Sequence, residues 1–215
     1  MSRGLTPGRP TARQNLENAL RRAGYLCVAG VDEVGRGCLA GPVTAAAVVL
    51  DPARPVTGLR DSKLLTAGAR ERLHDCILRR AVAWTVVSRT PADIGLLNIH
   101  RASLAAMREA VMGLHPAADY ALADGFAIPE LSIPHHGLVK GDRRCACIAA
   151  ASIVAKVTRD RMMAVLDQRD PRYGYARHKG YATVEHLAAI REHGLSVDHR
   201  RSFRPATLFH LLTDA

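Results

Sequence analysis

The chain has 215 residues, 48% hydrophobic and 23% charged, so one sizeable core is available and global disorder is excluded. Thirty basic residues against 20 acidic ones give a formal net charge of +10, which favours a polyanionic partner; nucleic acid and an anionic membrane surface both fit. The longest uncharged stretch, Gly37 to Leu50, contains Gly41 and Pro42 and is too short to cross a bilayer, which excludes a membrane-spanning helix.

Residues 1–24 carry five Arg and one Glu and read as a basic extension, with a short helix over Gln14 to Ala23. Leu26 to Val34 is apolar with β-branched residues and predicts a strand; Val43 to Leu50 predicts its antiparallel partner across a Gly/Pro turn. Thr66 to Arg80 has helical spacing, and Ala81 to Arg89, rich in Val, predicts a third strand. Pro91 to Leu114 predicts two helices broken near Asn98. Asp119 to Asp124 and Gly137 to Lys140 read as short strands, and Arg144 to Gln168 as one long helix, buried in its Ala-rich first half. Tyr173 to Gly180 reads as a loop. Thr183 to His193 reads as a helix capped by Thr183, with a last short helix over Pro205 to Leu212. This order implies helices packed on one mixed sheet. No secretory leader opens the sequence, so a cytoplasmic, reducing setting is expected, with Cys27, Cys38, Cys76, Cys145 and Cys147 as free thiols. None of the five forms a Cys-x-x-Cys pair.

Chemistry concentrates in acidic residues at strand ends. Asp32 and Glu33 close the first strand, Asp124 closes Tyr120-Ala-Leu-Ala-Asp, and Asp142 follows Leu138-Val-Lys-Gly. Carboxylates gathered on one sheet rim repel one another unless a divalent cation holds them, and Mg2+ or Mn2+ prefers such oxygen donors. Spacing alone leaves open the alternative of separate salt bridges and turn caps. Gly35-Arg36-Gly37 reads either as a plain hairpin turn or as a bare main chain that a sugar–phosphate backbone can approach. Only four of the 30 basic residues are Lys: Lys63, Lys140, Lys156 and Lys179. The segment from Lys156 to Arg204 holds 11 basic and 6 acidic residues, a face along which a duplex could lie.

The motifs together resemble ribonuclease HII, the type 2 ribonuclease H of bacteria. They are Gly30-Val-Asp-Glu-Val-Gly-Arg-Gly37, Asp61-Ser-Lys63, Ala123-Asp-Gly125, Val139-Lys-Gly-Asp142, Ile148-Ala-Ala-Ala-Ser-Ile-Val-Ala-Lys-Val157, His178-Lys-Gly-Tyr181 and His199-Arg-Arg-Ser-Phe203, spread over Leu26 to Phe203. Cys147 departs from the small hydroxyl residue expected before this Ile-Ala-Ala-Ala-Ser run. The resemblance implies a ribonuclease H-like α/β fold, a mixed β-sheet flanked by helices with a helical C-terminal region. It implies a catalytic domain over 25–204 between the N-terminal extension and a tail over 205–215. It implies Asp32, Glu33, Asp124 and Asp142 as catalytic carboxylates holding two Mn2+ or Mg2+ ions. Asp32 would bridge the ions, Asp142 would serve the attacking water, and Asp124 and Glu33 the leaving oxygen. Substrate-binding roles are implied for Gly35, Arg36, Gly37, Ser62, Lys63 and Tyr181, the turn reading a ribose 2′-hydroxyl and Tyr181 the sugars at the cleavage junction. The implied substrates are RNA–DNA hybrids and duplex DNA with embedded ribonucleotides, cut to 3′-hydroxyl and 5′-phosphate ends. No membrane partner is expected, and a monomer is. A non-catalytic nucleic-acid-binding protein on the same fold is the alternative, and retention of all four carboxylates argues against it; a DNA-strand transferase on this general fold lacks support from the Gly-Arg-Gly and Tyr181 motifs.

Overall fold

The computed structural model describes residues 14–203. Helix α1 (Asn15–Arg22) precedes strands β1 (Val28–Val34) and β2 (Val43–Val49). Helix α2 (Ala67–Arg80), β3 (Ala83–Arg89), α3 (Pro91–Leu97) and α4 (Ile99–Met112) follow. Next come β4 (Tyr120–Asp124), β5 (His135–Leu138), α5 (Gly141–Arg144) and α6 (Ala146–Arg169), then α7 (Tyr175–His178) and α8 (Val184–His193). The five strands form one mixed sheet in the order β3-β2-β1-β4-β5. β1 runs antiparallel to β2 and parallel to β4, and β4 runs parallel to β5.

Side chains alternate across the sheet. Val28, Ala46, Val48 and Leu122 pack with the buried face of α6. Ala29, Val31, Ala45, Ala47, Ala121 and Ala123 pack with Met107, Ala110 and Val111 of α4 on the other side. The first half of α6 is buried all round, from Ala146 to Ala155. Gly30 on β1 lets this helix come close, since a Cβ there would lie 2.1 Å from the main-chain carbon of Cys147. The N-terminus of α6 is held by Glu17 of α1, which is fully buried and accepts the Cys147 N–H at 2.9 Å.

Three expectations need correction, and a fourth falls outside the described residues. β5 ends at Leu138 rather than running to Lys140, because Lys140 turns left-handed (φ 56°) and starts α5. The helix expected over Arg144 to Gln168 is divided from α5 by Cys145, which is extended (φ −120°, ψ 129°). Tyr173 to Gly180 is not a plain loop: a 3-10 turn covers Pro171–Tyr173 and α7 follows at once. The short helix at Pro205 to Leu212 lies outside the described residues, as do the tail over 205–215 and the first 13 residues. The break at Asn98 (φ 64°) between α3 and α4 is where the sequence places it. No helix among the described residues is long and apolar enough to cross a membrane, and all five cysteines are free.

Gly30→Ala should destabilise the fold by about 3 kcal/mol or more, at the upper end for overpacking, because its contact is main chain that cannot rotate away. Gly37→Ala, whose Cβ meets nothing within 4 Å, should stay within about 0.5 kcal/mol of wild type. Thermal melts of the two variants separate these outcomes.

Candidate active site

The two central parallel strands bring the first carboxylates together. In their register Val31 lies beside Ala123, so Asp32 and Asp124, each one residue on, emerge side by side at the carboxyl edge of the sheet. Glu33 follows Asp32 on β1, and the left-handed turn at Lys140 swings Asp142 of α5 toward the same edge. All four carboxylates line one cleft of about 390 Å³, together with Ser62, Lys63, Ser152, Lys156 and Tyr181.

Three of the four carboxylates are held by the chain. Asp32 accepts the Glu33 N–H at 2.7 Å, Asp124 accepts the Gly141 N–H at 2.7 Å, and Glu33 pairs with Arg36 at 3.2 Å. Asp32 is 7% exposed; burial, then the charges of Glu33 and Asp124, push its carboxyl well above the usual range against hydrogen bonds from Ser152 and the Glu33 N–H. Burial also raises Glu33, in spite of the Arg36 guanidinium. Asp142 is raised by burial and by the charges of Asp61 and Asp124.

The donor set consists of hard carboxylate oxygens, with negative charge disfavoured at Asp32, Glu33 and Asp142, which fits a divalent cation. As the side chains lie, no three His, Cys, Asp or Glu among the described residues already form a nest for one ion. The hydrogen bonds just described hold Asp32, Glu33 and Asp124 instead.

The walls come from further segments. Asp61 caps the 3-10 turn Ser62–Leu64 by accepting the Lys63 N–H at 2.9 Å, and it pairs with Arg143. These bonds and the Lys63 and Arg143 charges outweigh burial, so the Asp61 carboxyl lies below its usual range. Ser62 is buried, with its hydroxyl 3.0 Å from that of Ser152, while Lys63 is exposed. Tyr181 is 41% exposed at the rim. The Gly35–Gly37 turn continues from β1 but does not line the cleft. Gly35 is left-handed (φ 93°) against the Arg159 guanidinium, and Arg36 spans back to Glu33. Ser152 and Lys156 lie in the Ile148–Val157 motif, but sequence reasoning assigns neither a place in the site. A usable signal existed: they are the polar residues, four apart, on an otherwise apolar stretch of α6.

A larger cleft of about 550 Å³ lies on α4, where its carboxylate, Glu130, is already engaged by Arg108. It lacks a cluster of acids, so the chemistry belongs to the smaller cleft.

Residues 29–206 match the family model described as ribonuclease HII. Ribonuclease HII of Aliivibrio salmonicida is 52% identical over 182 residues, 85% of this chain and 88% of its own. Ribonuclease HII of Salinispora tropica is 49% identical over 206 residues, 93% of this chain and 76% of its own. The crystal structure of ribonuclease H2 from Pyrococcus horikoshii OT3 superposes with a TM-score of 0.73 at 25% identity, covering 88% of this chain and 98% of that one. The chain belongs to the ribonuclease HII family and is an endoribonuclease.

Proposed function

We propose that the cleft binds duplex nucleic acid containing ribonucleotides and hydrolyses the phosphodiester on the 5′ side of a ribonucleotide. The target is the RNA strand of an RNA–DNA hybrid or a single ribonucleotide within duplex DNA, and the ends are a 3′-hydroxyl and a 5′-phosphate. The observation that carries this reading is the meeting of four carboxylates from three separate segments in one cleft of a chain with net charge +10.

Asp32, Glu33, Asp124 and Asp142 would hold two Mg2+ or Mn2+ ions, with Asp32, flanked by Glu33 and Asp124, as the shared ligand. When bound, the ions supply the positive charge that offsets the charge developing on phosphate as water attacks in line. The chain's other groups bind and orient. Ser152, braced by Ser62, holds the Asp32 carboxylate. Lys63 offers an exposed ammonium to a backbone phosphate, and Lys156, paired with Asp160 at 2.7 Å, lines the same wall. The open space at Gly37 leaves room for a sugar–phosphate backbone to approach main chain. The ring of Tyr181 lies on the rim, placed to lean on the deoxyribose after the ribonucleotide, with its hydroxyl toward the ribose 2′-hydroxyl.

Asp32→Asn should lower turnover by orders of magnitude, because a neutral amide cannot replace a carboxylate on a hard cation. In chelator the same variant should melt higher than wild type. The raised Asp32 pKa means that its penalty grows as pH rises from the ordinary Asp range and stands in full above the raised value. The gain should therefore be present at neutral pH and absent in strong acid. About 1 kcal/mol would appear as about 2–4 °C in a chain of this size. Near wild-type turnover in Asp32→Asn would remove the proposed ion site.

Binding should weaken steeply with salt through counterion release. Lys63→Ala should reduce affinity for every duplex and lower the salt slope by about one contact. Titrations at several salt concentrations read this directly, and an unchanged slope would take Lys63 off the phosphates.

Tyr181→Phe, which keeps the ring and loses one hydrogen bond, should cost about 0.5–1.5 kcal/mol in recognition. Tyr181→Ala should cost more, mainly on the single-ribonucleotide duplex, because a continuous RNA strand has no ribose–deoxyribose junction inside it. The ratio of kcat/KM on the two substrates checks this. Equal losses on both would leave Tyr181 as a packing residue.

A further inference from the structure

Behind Tyr181 the C-terminal region buries three imidazoles: His178 is 7%, His186 0% and His199 3% exposed. The His178 and His186 rings stack with centroids 4.3 Å apart, and Tyr175 packs edge-on against His186. Main-chain partners fix which nitrogen carries each hydrogen. The Tyr181 carbonyl can only accept, so His186 Nδ1, 2.9 Å away, is the donor. The Ser196 N–H can only donate, so His199 Nδ1 accepts it at 2.9 Å and the hydrogen of that ring sits on Nε2. His199 Nε2 lies 3.1 Å from His186 Nε2, the free acceptor, so assignments made from opposite ends of the chain of bonds agree. Burial pushes both imidazoles down to about 4, which keeps both neutral at neutral pH. His178 adds a second tie, accepting the Gly180 N–H at 3.2 Å and donating to the Tyr173 carbonyl at 2.7 Å. These rings lie away from the carboxylate cleft, and none of them lines it.

We propose that His186, oriented by His199, is a positioning residue for Tyr181: its Nδ1–H fixes the Tyr181 carbonyl and so sets where the ring stands at the rim. The proposal rests on the junction-reading role of Tyr181 given above. His186 touches no substrate. It acts through the main chain of the residue that does.

Two measurements on the full chain test it. The first is nitrogen–carbon correlation spectroscopy of the imidazoles at neutral pH. His186 should appear as the Nδ1–H tautomer and His199 as the Nε2–H tautomer; an Nε2–H tautomer at His186 overturns the proposal. The second is the kcat/KM ratio between the single-ribonucleotide duplex and the hybrid. His186→Phe keeps the ring and loses both bonds, and should lower this ratio about three- to tenfold, the loss expected for one hydrogen bond. His186→Asn, which keeps a donor near the Nδ1 position, should recover much of it. His186→Phe added to Tyr181→Ala should lower the ratio no further. Equal losses on both substrates in His186→Phe, with Tyr181→Ala still selective, overturn the proposal and leave His186 as core. Equal losses in Tyr181→Ala itself overturn the junction reading instead. Should His186→Phe fail to fold, the Asn variant and the tautomer spectrum decide.

Discussion

The close approach of α6 to β1 is the constraint on which the site depends. Gly30 presents no side chain to the Cys147 main chain, and the run of Ala149, Ala150 and Ala151 presents little. A helix lying this near the central strand brings Ser152 within reach of Asp32 and Lys156 onto the cleft wall. Were Gly30 larger, the helix would move outward and its polar face would leave the cleft. Glu17 acts on the same joint from the other end, because its carboxylate meets an N–H that the first turn of α6 cannot satisfy internally. The N-terminal helix is therefore tied to the helix that builds the cleft wall.

Against that packed frame, the cleft itself is a local cost. Asp32 is almost fully buried beside two other carboxylates, and Asp142 is buried beside two. Burial and like charge both disfavour the ionised forms, and such groups persist only where the surrounding structure outweighs them. The surroundings here are a sheet core sealed on both faces. Strain of this sort in a cleft is what a ligand of opposite charge can relieve, which is why raised carboxyl groups point to a site rather than to a defect.

Much of this was legible in the sequence, for identifiable reasons. Strand ends show where apolar runs stop at an acid and a glycine, as at Asp32-Glu33 and Asp124-Gly125, so the sheet edge could be read residue by residue. The parallel register that sets Asp32 beside Asp124 could not, because nothing local encodes which strands become neighbours. Cys145 was invisible as a break, since the run after it, Ala146 to Ala151, is apolar throughout and carries no period to interrupt. Lys140 in a left-handed turn runs against residue preference, and only tertiary context imposes it. The buried histidines were hidden for another reason. His178, His186 and His199 are 8 and 13 residues apart, a spacing that belongs to no single helix face, and a histidine reads as polar until its partners are known.

Two arginines show how the shape of the rim is set from beneath. Arg159, fully buried, donates to the carbonyls of Pro42, Ala40 and Lys179. Arg200, 2% exposed, donates to those of Gly41 and Arg36. Neither is in an ion pair among the described residues; each buried cation is met by carbonyl dipoles, with Arg200 Nη2 left without a hydrogen-bond partner among those residues, and this demands that several carbonyls point inward at once. That demand bends the chain at Gly41 and Gly180, both left-handed, and the Leu39 N–H closes onto the Gly180 carbonyl at 2.8 Å. The turn after β1 and the segment leading to Tyr181 are thereby built as one piece. Arg36 and Tyr181 stand far apart in sequence, yet Arg159 ties Ala40 and Pro42, after Arg36, to Lys179, before Tyr181, while Arg200 holds Arg36 and Gly41.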